Sequence, residues 1–512
     1  MMRARILPRW RSCTLALAMF VLEGCAVGPS FQRPQITAGP HYRPSHELIR
    51  GERPAPTAFR QRVTPGGASD GPWWAAFRCA ELNTLVRQAL ADNHDVAAAQ
   101  AALARAREMV TVGGAARYPQ IGFNAGVGRE KYGAEFLGPN AFAPFRYVAG
   151  GVSVDYLLDY LGRTRRTIEE ARALEQYQRS ELSATRLVLS GEVASQAVTV
   201  ATARAEIRAV RGLLAEDRQN VALVRGAVAA GSEPRLDVLT AQSQLASDAT
   251  LLPPLYQKLT TARHALAVLL GRTPASWHAP DLTLSALALP AQVPVSLPSQ
   301  LLRRRPDIRA AEAQLHAATA AVGLATANLY PQILLSGTLS EEALRPAHLF
   351  DASSLAWSLI AGLTGPLFEG GKLHAERRAA LDVLHERADL YQQVVVSAFG
   401  QVADALDALR HDAELRAAQA RALRISGRRL RLERDSYRAG NSGLLPVLDA
   451  QRQRERAQLG LLGAEQRQFL DTIRLLLAAG GRIAPTAIAR TAAVRETTTS
   501  PRDSVRRTSP GL

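Results

Sequence analysis

Four short stretches of the chain alternate between apolar and small polar residues. In the first, Ile121, Phe123, Ala125 and Val127 interleave with Gln120, Gly122, Asn124 and Gly126; in the second, Val148, Val152, Val154 and Tyr156 interleave with Ala149, Gly151, Ser153 and Asp155. Further on, Ile333, Leu335 and Leu339 oppose Gln332, Ser336, Thr338 and Ser340, and Leu355, Trp357, Leu359 and Leu363 oppose Ala356, Ser358, Gly362 and Thr364. A period of two predicts strands with one apolar and one wettable face, at about 119–129, 147–158, 331–341 and 353–365.

Elsewhere the spacing is helical. Leu381, Leu384, Ala388, Tyr391, Val395, Ala398, Val402, Ala405 and Leu409 follow one another at intervals of three and four, a heptad seam that is interrupted near Asp412. No proline stands between Lys372 and Tyr437, or between Arg163 and Ala229, so each span predicts one long helix. A returning helix follows each, the second seamed by Leu459, Leu462, Phe469, Ile473 and Leu476 with Gln466 as its polar member. Many seam positions are alanine, which lets helices approach closely side by side.

The two halves of this pattern are copies. "RYPQIGFNAGVG" (117–128) returns as "LYPQILLSGTLS" (329–340), "AAGSEP" with Gly231 returns as "RAGNSG" with Gly440, and "VLTAQ" returns as "VLDAQ". Each copy holds an Ala-rich helix, a strand pair, a Gly with a basic residue, a very long helix, a Gly turn and a return. The organisation expected is 73–272 for the first repeat, 273–297 for a linker and 298–481 for the second repeat.

A soluble sandwich would need a second sheet, for which the chain has no further strands. An apolar face opposite a small polar one fits a membrane barrel, lipid on one side and water on the other. Four strands cannot close, and an open edge in hydrocarbon leaves backbone groups unpaired. The strands must then be shared among subunits. No uninterrupted run of about twenty apolar residues is present, which excludes a helical membrane protein.

The N-terminus supplies an address. Arg3, Arg5, Arg9 and Arg11 precede the short apolar run "TLALAMFVL", a positive region followed by an apolar one too short to span a bilayer, and read as an export signal over 1–24. The run ends in "LEGC", which resembles a lipobox with Cys25 as the lipidated first mature residue; Glu23 stands where a small or neutral residue is usual. Residues 25–72 then form an extended segment. Of three cysteines, Cys13 leaves with the signal and Cys25 carries lipid, so only Cys79 remains and no internal disulfide forms. The net charge of +16 invites a nucleic-acid reading, which is discounted because the arginines are spread along the helices and a basic surface is equally common on proteins that meet anionic lipid. The tail, 482–512, is rich in Ser, Thr, Pro and Arg and reads as disordered.

Catalytic parts are missing. The ten histidines are scattered, there is no His-Glu-x-x-His or Cys-x-x-Cys, and no Gly-rich phosphate loop opens a helix, so neither an enzyme nor a cofactor or metal site is expected. A basic coiled-coil scaffold explains the charge but not the signal, the lipobox or the strands.

Several phrases resemble the outer-membrane efflux proteins of the TolC type, in the lipoprotein branch that serves RND-type tripartite pumps: "GCAVGPSFQRP", "WW" at 73 and 74 with Phe77, "LLRRRPDIRAAEAQL" (301–315), "YPQI" twice, "PLFEGGKL" (366–373) and "YRAG" with "LLPVLDAQR". Arg305, Pro306 and Asp307 lie in the most specific of these. The resemblance implies an α+β membrane protein: a trimer whose twelve-stranded outer-membrane β-barrel, four strands from each chain, continues into a long periplasmic α-helical barrel. It also implies a passive exit duct for small toxic compounds, docking onto a periplasmic adaptor and through it an inner-membrane pump. A type I protein-secretion duct is the alternative within the family.

The same resemblance places a periplasmic gate at the turns of the hairpins, Gly231 and Gly440. Tyr437 falls on the family's tip tyrosine, Asp237 on the aspartate that accepts its hydrogen bond, Asp449 on an aspartate facing the bore and Leu445 near an apolar constriction. Thr240, Ser442 and Pro446 depart from the pattern, standing where other members carry an acid, an arginine and a second aspartate.

Overall fold

The structure, a computed structural model, describes residues 26–34, 61–65, 72–132, 143–295 and 298–481. The signal at 1–24, Cys25, the segments 35–60 and 66–71, and the tail 482–512 lie outside the described residues. The elements in chain order are β1 (Arg62–Pro65), α1 (Ala80–Asp92), α2 (His94–Ala115), β2 (Gln120–Glu130), β3 (Phe145–Leu158), α3 (Arg163–Ala229), α4 (Arg235–Ala249), α5 (Leu252–Leu269), β4 (Gln292–Val295), α6 (Pro298–Arg304), α7 (Pro306–Ala327), β5 (Gln332–Ala343), β6 (Leu355–Thr364), α8 (Lys372–Arg438) and α9 (Leu444–Ala478).

The duplication holds residue for residue in the helices. Helices α3 and α8 each have 67 residues, and both their starts (372 minus 163) and their ends (438 minus 229) are 209 apart. The returns match as well, α4 with α5 covering 235–269 and α9 covering 444–478. Glycines with positive φ punctuate both copies at the same offset: Gly162 and Gly371, Gly231 and Gly440, Gly271 and Gly480. One difference has a local cause. The first return is split between Thr250 and Leu251, because Pro253 and Pro254 lack N–H groups and are tolerated only in a helix's first turn, where α5 begins.

The chain divides into two units. The first holds the antiparallel sheet β2-β3-β5-β6, helices α2 and α7, and the β-proximal parts of α3 and α8. Helix α7 is apolar or small on nearly every side, burying Ile308, Ala313, Leu315, Ala320 and Val322.

The second unit holds α1, α4, α5, α9, the remaining parts of α3 and α8, and a two-stranded parallel sheet of β1 and β4. Its core explains the "WW" phrase. Trp73, Trp74 and Phe77 lie on a 3-10 turn with all three rings buried; Trp73 Nε1 donates to Ser190 Oγ at 3.0 Å, and the Phe77 and Phe469 rings stand 6.1 Å apart. Cys79 is buried and unpaired, and burial raises its thiol pKa, which leaves it an inert apolar filler. The α8 seam is buried here through Val402, Ala405 and Leu409, and in the first unit through Tyr391, Val395 and Ala398. It does not end at Asp412, as the sequence suggests: Asp412 is itself buried, followed by buried Ala413 and Ala417.

Candidate functional site

The strand pairing decides which residues share a face. Ile121 lies opposite Val154, Phe123 opposite Val152 and Val127 opposite Val148; Val152 lies opposite Leu339 and Tyr156 opposite Leu335; Leu339 lies opposite Trp357 and Ile333 opposite Leu363. All the apolar positions of the four alternations therefore fall on one face, as their period required. That face is uncovered in the chain, with Phe123 78%, Trp357 75% and Leu359 78% exposed. An open apolar surface of this kind marks a membrane or partner contact.

The other face is small and polar. Gly122 lies opposite Ser153 and Asn124 opposite Gly151, and the hydroxyls of Thr338 and Ser358 meet at 2.7 Å. Apolar Leu334 and Ile360 are exceptions on it. Exposed Tyr118 and Tyr330, just before β2 and β5, and Phe368, just after β6, gather at the helix-proximal rim, where Tyr160 donates a hydrogen bond to the Pro331 carbonyl. Tyr132, Phe145 and Tyr147 sit at the opposite rim. Aromatic rings at both ends of an apolar band are a pattern that membrane barrels carry as girdles. Among the described residues, β2 and β6 each pair on one side only, leaving two unpaired edges.

In the same unit the segment Ala26–Pro34 is strapped across the helices. The Val27 N–H donates to Leu161 O at 3.0 Å. Arg166, 4% exposed, donates to the carbonyls of Val27 and Gly28, both at 3.2 Å, and to Glu169 at 2.8 Å. His316 Nε2 lies 2.9 Å from the other Glu169 oxygen, and Phe31 stacks on His316 at 4.4 Å. Burial alone would raise the Glu169 carboxyl, but the bonds from His316 and Arg166 hold it below the usual range. Gly28 has φ +88°, and a Cβ there would come within 2.5 Å of the Gly323 Cα. The phrase "AVGPSFQRP" is thus a docking sequence for the residues that follow Cys25.

The "RRRPDI" phrase is a helix start. Pro306 takes the first turn of α7, and Asp307 accepts two bonds from the buried Arg305, at 3.0 and 2.6 Å, while its carboxylate lies at the positive helix end.

In the second unit, α3 and α8 end identically. Gly231 (φ +76°) and Gly440 (φ +74°) are left-handed C′ residues. Gly231 N–H bonds to Val228 O and Ser232 N–H to Ala227 O; Gly440 N–H bonds to Tyr437 O and Asn441 N–H to Ser436 O. These are Schellman caps. A Cβ at either glycine would touch nothing, so conformation and not crowding demands the residue.

Around the turns, Val221, Val224, Ala241, Leu444 and Leu448 form an apolar cluster with Val238 and Tyr437 packed on it; Tyr437 also touches a second cluster of Leu430, Val447 and Ala450. The Tyr437 hydroxyl is raised by burial first and then by the charges of Glu233 and Asp237. Asp237, in the first turn of α4, hydrogen-bonds Glu233 and so raises the Glu233 carboxyl. The structure brings Tyr437 and Asp237 to one place, yet among the described residues no direct hydrogen bond joins them within a chain. Asp449, between the cluster residues Leu448 and Ala450, is paired with Arg429 at 2.9 Å and bonded by Gln453 at 3.1 Å. Leu445, one turn earlier, is exposed. Thr240 Oγ is bonded to Leu236 O at 3.0 Å, and the buried Ser442 Oγ has no hydrogen-bond partner. Arg429 and Glu233 were not marked by the sequence, since each sits in a charge-rich run without a distinguishing spacing.

Comparisons with known proteins agree with this geometry. The sequence profile of a family described as outer membrane efflux protein matches residues 85–272 and 297–481. The pyoverdine export outer membrane protein OpmQ of Pseudomonas aeruginosa is 32% identical over 451 residues, 84% of this chain and 94% of that protein. The toluene efflux pump outer membrane protein TtgC of Pseudomonas putida is 29% identical over 477 residues, covering 91% and 95% of the two chains. The solved structure of the outer-membrane channel OprN superposes with a TM-score of 0.79 at 28% identity, covering 90% of this chain and 100% of that one.

Proposed function

Because the chain belongs to the outer membrane efflux protein family, we propose that it is the passive exit duct of a tripartite pump, carrying small toxic compounds across the periplasm and outer membrane. Members of this family are channels and not enzymes. The observation that carries the proposal is the sheet: an exposed apolar face with aromatic rims and two unpaired edges. Joining β6 of one copy to β2 of the next satisfies both edges, and three copies give a closed barrel of twelve strands. The long hairpins then line a tunnel below it.

In this reading Cys25 carries the acyl anchor, and the strap after it fixes the anchor beside the junction of β3 and α3. The hairpin turns form the gate, with Tyr437 and Asp237 holding neighbouring helices and Asp449 and Leu445 facing the bore. Asp449 as an acidic ring is tempered by Arg429, which neutralises it in each chain. A periplasmic adaptor and an RND-type inner-membrane pump supply docking and energy. Small-molecule export is favoured over protein secretion by relatives whose names specify pyoverdine and toluene.

The test is direct. Purified protein should run as an acylated trimer and conduct in planar bilayers, with Tyr437→Ala and Asp237→Ala raising the conductance. A monomer that partitions into the aqueous fraction overturns the proposal; conductance unmoved by both substitutions overturns the gate alone. A deletion strain that loses export of a protein, with unchanged sensitivity to toxic compounds, would favour the secretion duct.

A further inference from the structure

Helix α3 and its return bury two carboxyl groups against each other. Asp217 is 2% exposed, and Asp248 on α4 and Glu455 on α9 are buried too. Asp217 Oδ1 accepts from Gln451 Nε2 at 2.7 Å, Gln451 Oε1 accepts from Asn220 at 2.9 Å, and Asp248 accepts from Gln244 at 2.6 Å. Asp217 Oδ2 has neither solvent nor a donor, and the same is true of Glu455 Oε1.

The cations nearby are committed elsewhere. Arg434 on α8 and Arg454 on α9 both bond Glu216, at 2.6 and 3.1 Å. What Asp217 faces is Asp248, a second acceptor. Only a proton on one of the two supplies the missing donor. In agreement, the Asp217 carboxyl is pushed from 3.8 up to about 7, by burial first and then by the charge and hydrogen bond of Asp248.

The other hairpin carries the same device at a different height. Asp412 on α8 is buried with an unpartnered Oδ2, and the carboxyl it faces is that of Asp471 on α9. Asp412 is raised to about 7 by burial first and then by that neighbour, with Arg467 and Arg474 opposing. Arg474 is itself paired with Asp471 at 2.7 Å. At the repeat offset of 209 the counterparts are Ser426, Ala457, Ala203 and Ala262, so each hairpin has its own pair where the other packs small residues.

We propose that these two carboxyl pairs are proton clasps: each binds a long helix to its return while a proton is shared, and lets the hairpin loosen when that proton leaves. The inference rests on the duct reading, in which the hairpin turns form the gate, and adds that loosening a hairpin from within frees its turn, so that opening depends on periplasmic pH. The direction follows from linkage. A clasped pair holds its proton up to a pH of about 7, whereas separated, hydrated carboxyls release theirs near 3.8. Between those limits each unit of rising pH shifts the balance toward the open form by up to about tenfold per clasp, and above the upper limit the effect levels off.

The experiment compares the full-length protein with Asp217→Asn, Asp248→Asn and Asp217→Asn/Asp412→Asn variants in planar bilayers from pH 5 to 8.5, alongside thermal unfolding in detergent over the same range. Asparagine keeps the shape, supplies a permanent donor and cannot ionise. The parent should conduct weakly at pH 5 and several-fold more by pH 7.5, with its melting temperature falling over the same interval. Each single variant should have a shallower profile, and the double variant should stay flat and low. Conduction whose pH profile is the same in all four proteins overturns the clasps and leaves the duct standing. A melting temperature that loses its pH dependence in the variants, in a protein that conducts at no pH, supports the clasps and overturns the duct.

Discussion

Replacing Arg166 by methionine tests the strap. The guanidinium makes three charged contacts, to Val27 O, Gly28 O and Glu169, and methionine keeps the apolar volume while removing all three. Removing one partner from a buried ion pair costs ~3–5 kcal/mol, and the lower end applies because Glu169 is partly exposed and keeps His316. When the strap lifts, its two carbonyls are rehydrated, so the loss falls on local docking and not on the global fold. A change of about 3 kcal/mol raises the undocking equilibrium about a hundredfold. Hydrogen exchange by mass spectrometry of the peptide covering 26–33 reads this through the Val27 amide, which is bonded to Leu161 O. Arg166→Lys, which cannot reach two carbonyls and a carboxylate together, should fall between. If the Val27 amide exchanges equally slowly in the methionine variant, the buried arginine is not what holds the strap.

Other substitutions probe separate features. Leu359→Arg places a charge on the apolar face and should destabilise the inserted barrel by about 2–4 kcal/mol, reducing the heat-resistant trimer in membrane vesicles, whereas Ser358→Arg on the opposite face should leave the trimer intact and alter conductance. Trp73→Phe removes the bond to Ser190 inside a buried core and should cost about 1 kcal/mol, seen as a melting temperature lower by a few degrees. Gly440→Ala forces a Cβ into the left-handed region without any clash, and should cost about 1–2 kcal/mol, seen as faster proteolysis at that turn with little change in global melting.

The features legible in the sequence are those that repeat. Strand faces could be read because Ile121 to Val127, and Leu355 to Leu363 apart from Ile360, keep the two-residue period of a sheet with one apolar face. The long helices and their glycine turns could be read because a 67-residue element without proline leaves few alternatives. What stayed hidden are single side chains whose environment is set by distant segments. Arg166 sits in "RTRRTIEE", a run that looks solvated, and is buried only because the strap crosses it. Asp217 and Asp248 look like ordinary helix-surface acids, since nothing local shows that α3 and α4 turn those positions toward each other. The interrupted seam at Asp412 was a hint of this kind: the heptad continues, and the acid is inside it.

The equal lengths of the two hairpins constrain how such a protein can change. If both serve as staves of one cylinder, dropping a heptad from α8 and α9 alone leaves that turn a full 10 Å or so short of its neighbour. The rim would then be stepped at three places around the axis, and no local repacking could level it. Insertions and deletions in these helices should therefore survive only in matched pairs, one in each repeat.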